Sequence, residues 1–222
     1  MPIVEEPFDR EKHIYRDPSL FTLLRKAVRF FNGTPVHKLP FVEPFEGAGV
    51  YALYYIGTRG IYRPYGTIIN AESYEEPIYV GKADLPGKRQ SRAVGRGVGN
   101  KLYNRLLDHS RSIGSAVNLS LKDFACRFVI CEGDTAAMIP AFEDALTRKF
   151  NPLWNSFLDG FGNHAQGSGR SASQRTQWDT IHPGRSFAND LQPNPLSEKD
   201  LKKRIADFFV NRTRPYLQHE HI

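Results

Sequence analysis

GVYALYYIGTRGIY, residues 49–62, holds a literal Y-I-G at 55–57, a literal G-I-Y at 60–62 and a near-copy of the latter, G-V-Y, at 49–51. Which tyrosine lies in which element decides the fold. Tyr51, Leu53 and Tyr55 alternate with Val50, Ala52 and Tyr54, so residues 49–56 read as a β-strand with two distinct faces. Tyr51 and Tyr55 then share a face but stand about 13 Å apart, four residues at about 3.3 Å each, too far to converge on one small site. Y-I-G is therefore the end of a strand. G-I-Y is followed at once by Arg63-Pro64, and proline is excluded from a central strand. Gly49-Val50-Tyr51 remains, together with Tyr79-Val80-Gly81 in the second strand PIYVGKA, 77–83. Residues opposite one another on antiparallel strands lie about 5 Å apart, so Tyr79 can meet Tyr51.

Working outward, FACRFVIC, 124–131, is a third strand. Its two cysteines, Cys126 and Cys131, fall an odd number of residues apart, on opposite faces, and no disulfide is expected between them. Asp17-Pro18 reads as an N-cap with proline at the first helical position, and Leu20, Leu24, Val28 and Phe31 follow at helical spacing until Asn32-Gly33. Leu102 and Leu106 mark a helix in KLYNRLLDHS. Ile139, Phe142, Leu146 and Phe150 mark another, with Pro140 near its start. From Gly160 to about Pro195 the chain is rich in Gly, Ser, Asn and Pro and predicts a long loop or arm. A last helix begins at Ser197, capped with Asp200, and buries Leu201, Ile205, Phe208 and Phe209. His219 and His221 belong to the C-terminal tail, where fraying outweighs metal chelation.

The chain has 222 residues, 40% hydrophobic and 24% charged, which places it among globular proteins with a sizeable core. It has neither an apolar leader at its start nor a run of about 18 apolar residues, so a cytoplasmic, non-membrane protein is expected. The net charge of +6 is concentrated. Lys82, Lys88, Arg89, Arg92, Arg96, Lys101, Arg105 and Arg111 face only Asp84 and Asp108 between residues 82 and 111, which accounts for the whole excess. A charge run is ordinarily a solvated face. Here Gly95, Gly97 and Gly99 separate the cations and let main chain approach a ligand, which suits a phosphate backbone.

The ordered set G-x-Y (49–51), Y-x-G-K (79–82), R-x-x-x-H (105–109), Glu143 and P-x-W-N (152–155) resembles the GIY-YIG nuclease family over about residues 49–155. The 27 residues from 52 to 78 are longer than that family's usual spacing and imply an insertion in the hairpin at 58–77. The resemblance implies an α+β fold, a small central antiparallel sheet flanked by helices. An N-terminal helical extension (1–48) precedes the nuclease core (49–155), and a C-terminal arm and helix (156–222) follow it. The absence of zinc-ligand spacing or a helix-turn-helix in the last segment makes the chain most like a Type II restriction endonuclease of the GIY-YIG group. Its expected activity is metal-dependent cleavage of both strands of duplex DNA at a short, palindromic site. A structure-selective repair or recombination nuclease, and a non-catalytic nucleic-acid-binding module, are the alternatives.

Phosphodiester hydrolysis needs an activated water, neutralisation of charge on the phosphate and help for the leaving oxygen. Glu143, the one carboxylate of the set, is expected to hold one Mg²⁺ per active site, with waters and phosphate completing its shell. Arg105 offers a planar donor fork to phosphate, and Arg105 and His109, four residues apart, share a helix face. The resemblance points to Tyr51 as general base, with His109 as its helper or as a rival base. As a base Tyr51 would need nearby cations to favour phenolate. Tyr79 and Lys82 are expected to position phosphate, and Asn155 to brace the site. DNA-binding candidates are Lys88, Arg89, Arg92, Arg96, Lys101, Arg170, Arg175 and Arg185, on the basic stretch and the arm. One motif set per chain predicts a homodimer on DNA, joined through the helix at 18–31 or the apolar face of 201–209.

Overall fold

A computed structural model describes residues 7–70, 73–84, 99–163 and 174–216, the last four as main chain only. The quoted stretch begins with strand β2, Gly49–Tyr55, the centre of the molecule and buried at every position. Three further strands are β1 (Val36–Lys38), β3 (Tyr79–Ala83) and β4 (Phe124–Ile130). They form one antiparallel sheet in the order β1-β4-β2-β3. Gly49 is required by this pairing, because a Cβ there would lie 1.9 Å from the Val129 carbonyl oxygen on β4. The register places Gly81, not Tyr79, opposite Tyr51, while Tyr79 stands opposite Leu53. The two tyrosines are thus diagonal neighbours, with ring centroids 6.3 Å apart.

Alternation along β2 divides the core in two. Val50, Ala52 and Tyr54 join Val28 and Phe31 of helix α1 (Pro18–Gly33) and Ile139, Phe142, Leu146 and Phe150 of helix α3 (Ile139–Phe150). Tyr51, Leu53 and Tyr55 join Leu102, Leu106 and Ile113 of helix α2 (Lys101–Ser115). The sheet is therefore sandwiched, with α1 and α3 on one face and α2 on the other. Cys126 and Cys131 fall in different clusters, as their odd spacing requires. The Asp17 carboxylate accepts from Ser19 N at 2.8 Å and starts α1. Helix α1 leaves Leu20, Phe21, Leu23 and Phe30 exposed on its outer side.

The C-terminal segment packs onto the α2 face. It contains α4 (Leu153–Ser156), α5 (Gln177–Ile181) and α6 (Glu198–Tyr216). The predicted arm is therefore partly helical and partly core, since Trp178 and Ile181 are fully buried. In α6 Ser197 and Asp200 cap each other reciprocally. Leu201, Ile205, Phe208 and Phe209 are buried, at roughly 1.5–3 kcal/mol of stabilisation each. Phe209 meets the ring of Tyr65, in the connection between β2 and β3, at 5.2 Å. The apolar face of 201–209 is thus spent on its own core and is not the dimer surface it was expected to offer. No helix among the described residues is long and apolar enough to cross a membrane.

Candidate active site

Gly81 opens the site. A Cβ on it would stand 2.4 Å from the Tyr51 hydroxyl and 3.0 Å from the Tyr79 ring. Without one, the Tyr51 ring crosses β3 and reaches α2. Its hydroxyl meets His109 Nε2 at 2.6 Å and Arg105 Nε at 3.3 Å. A guanidinium only donates, so the hydroxyl oxygen accepts from Arg105; its own proton can be given to His109 when that ring carries its proton on Nδ1. Burial, and secondarily the Tyr79 charge, push Tyr51 well above the ordinary phenol range, against the pull of Arg105. Burial raises Tyr79 as well. One cation beside Tyr51 is thus not enough to favour phenolate in the protein alone.

Lys82 alternates with Gly81 and points to the other face of β3, where its ammonium pairs with the Glu143 carboxylate of α3. Both side chains are partly exposed. The charge of Glu143 raises both Tyr51 and Tyr79, so the residues carried on the two faces of the sheet belong to one electrostatic neighbourhood at its outer strand. Asn155 holds that strand. Its Oδ1 accepts from Val80 N at 2.8 Å and its Nδ2 donates to Val80 O at 2.9 Å.

Two neighbours were invisible in the sequence. Phe161 stacks on the His109 ring at 4.6 Å and 19° and meets Tyr79 edge-on at 4.9 Å. The Gly162 carbonyl accepts from Arg105 Nη2 at 3.1 Å. Both come from the start of the arm, where G-F-G-N looks like a turn and gives no hint of its partner.

The Eco29kI GIY-YIG domain family matches residues 43–209, three quarters of the chain. The chain belongs to this family of GIY-YIG restriction endonucleases. No curated protein matches it. The endonuclease is accordingly a deoxyribonuclease of Type II restriction, its substrate is DNA, and its family depends on a metal ion. Among the described residues no three His, Cys, Asp or Glu side chains form a metal cage, and the expected ligand, Glu143, can be compared with what a hard cation needs. The donor fits: its oxygen already faces a cation, the Lys82 ammonium, and is open to solvent for a water-rich shell.

The DNA candidates divide. Lys101 is exposed at the start of α2, whereas Lys88, Arg89, Arg92, Arg96 and Arg170 lie outside the described residues. Arg175 donates to the Ala188 carbonyl at 3.1 Å and serves the arm's own main chain. Arg185 does not face DNA in the endonuclease: it is 4% exposed and ion-paired with Asp179 at 2.6 Å. Tyr62, from the literal G-I-Y, is buried against His182 at 2.6 Å and Trp154 at 3.0 Å, away from the site.

Proposed function

We propose that the endonuclease hydrolyses duplex DNA through a proton relay from water to Tyr51 to His109. The observation that carries this is the Tyr51 hydroxyl held between His109 Nε2 and Arg105 Nε. Tyr51 takes the proton of the attacking water as its own passes to Nε2, the water oxygen bonds to phosphorus, and the bond to the leaving oxygen breaks. No free phenolate forms, so the raised position of Tyr51 is no obstacle; His109 receives the proton in the end. Arg105 neutralises charge on the phosphate, aided by Tyr79, and Lys82 turns from Glu143 to a phosphate oxygen. A single Mg²⁺ held by Glu143 supplies positive charge for the leaving oxygen. Asn155 keeps β3 in place.

One site per chain and two strands per duplex call for a homodimer on a palindromic sequence, each protomer cutting one strand. The exposed outer side of α1 is the described apolar surface that suits the contact. Plasmid digested with Mg²⁺ should give discrete fragments; a smear or intact plasmid would reject site-specific cleavage. Wild-type chains mixed with Glu143→Ala chains should accumulate nicked circles. Linear product from a complex of one-chain mass would reject the dimer.

A further inference from the structure

Among the described residues the most thoroughly buried arginine is Arg185, which the relay does not use. Its Nε and Nη2 pair with the two Asp179 oxygens at 2.6 and 2.7 Å. The remaining donors reach three carbonyls of one turn: Gly160 at 2.9 Å, Phe161 at 3.1 Å and Asn163 at 3.1 Å. All five N–H groups of the guanidinium are thereby engaged. Trp178 and Phe187 lie over the guanidinium at 4.5 and 4.9 Å. Burying such a pair stabilises a fold little against apolar packing, and its removal is costly. Its product is geometry, a turn fixed at three of its four carbonyls.

That turn, closed by Asn163 N donating to Gly160 O at 3.1 Å, carries the two contacts that enter the site. Phe161 stacks on His109, and the Gly162 carbonyl fixes the plane of Arg105 through Nη2 while Nε of the same guanidinium reaches Tyr51. Gly162 itself lies against Tyr79, since a Cβ there would sit 2.5 Å from the Tyr79 hydroxyl. One turn thus touches His109, Arg105 and Tyr79 together.

We propose that the turn Gly160–Asn163 is the closing wall of the active site, and that Arg185 is a positioning residue that acts through it. The inference rests on the roles given above to Arg105 and His109. The C-terminal segment is then part of the catalytic unit as well as of the core.

Steady-state cleavage of a duplex substrate by Gly162→Ala tests the wall. Its kcat should fall about 10²-fold, the usual cost of an ångström of misplacement at a reacting centre, with KM and Tm nearly unchanged. Turnover within about threefold of wild type would overturn the proposal. Arg105→Ala, measured alongside, separates the layers. If it is inactive while Gly162→Ala is normal, only the wall falls; if Arg105→Ala is itself fully active, the reading of the site falls first. Arg185→Lys keeps the charge beside Asp179 but loses the fork, and should lower kcat about tenfold in the folded fraction with KM unchanged. A lower Tm with wild-type kcat in the folded fraction would overturn the role of Arg185.

Discussion

Two tyrosine–histidine pairs lie in this molecule with nearly the same geometry. Tyr51–His109 and Tyr62–His182 each close at 2.6 Å, with ring centroids 5.3 and 5.5 Å apart and planes inclined at 47° in both. Their surroundings differ. Tyr51 accepts from Arg105 and feels Glu143 at the outer strand of the sheet. Tyr62 accepts from the Trp154 indole, and His182 Nδ1 donates to Asn118 Oδ1 at 2.8 Å, so the second pair ends in neutral partners, a buried indole and the amide of the exposed Asn118. Burial pushes His182 down to about 3. A Tyr–His hydrogen bond is therefore not in itself a reactive feature. In the proposed relay the difference lies in the Arg105 donor on the Tyr51 hydroxyl and in the nearby Glu143, whereas the second pair fastens the end of α5 to the β2–β3 connection.

The contrast is sharpened most by Glu143→Ala. Cleavage should drop by at least about 10³, some 4 kcal/mol of barrier, while gel-shift affinity for DNA is largely kept. Normal turnover would remove the metal assignment. Next in size, Tyr51→Phe should reduce kcat by about 10²-fold or more, whereas Tyr62→Phe keeps wild-type kcat. An active Tyr51→Phe beside an inert Tyr62→Phe would exchange the roles of the two pairs.

The second pair should instead show itself in stability. His182 stays neutral in the fold down to about pH 3, while its ordinary value is 6.5. Between these values the unfolded chain binds the extra proton, so stability falls as pH is lowered, by about 1.4 kcal/mol per unit. Urea midpoints from pH 7 to pH 4 measure the slope, and His182→Gln should make it shallower; an unchanged slope in the variant would show that His182 is not its source. The smallest effect is expected from Tyr62→Phe at pH 7. It leaves the Trp154 N–H and His182 Nε2 short of a partner, a loss of about 1–3 kcal/mol in denaturant titration.

Much of this was legible in the residues because periodicity reports burial. Strand β2 shows its two faces directly, and Leu201, Ile205, Phe208 and Phe209 are the buried side of α6 as their spacing says. Pro64 was enough to separate G-V-Y from G-I-Y. Strand β1 was not legible: three residues close to Pro35 and Pro40 carry no alternation, and their pairing with β4 is what makes them a strand. Nor was the burial of α5, whose Trp178 and Ile181 amount to one helical turn within a loop-like composition. Arg185 misled for a more general reason. A buried cation and a DNA-facing one are written with the same letter, and only the acid six residues upstream, between Trp178 and Ile181, hinted at an internal partner.

The amide of Asn155 has a consequence for how the protein keeps company with itself. Strand β3 is outermost in the sheet and would present unpaired N–H and C=O groups to any other extended chain. A single side chain satisfies both groups of Val80, and the Trp154 amide takes the Ile78 carbonyl at 2.9 Å. Around Val80 the edge is thereby closed to strand addition by side-chain mimicry of a fifth strand.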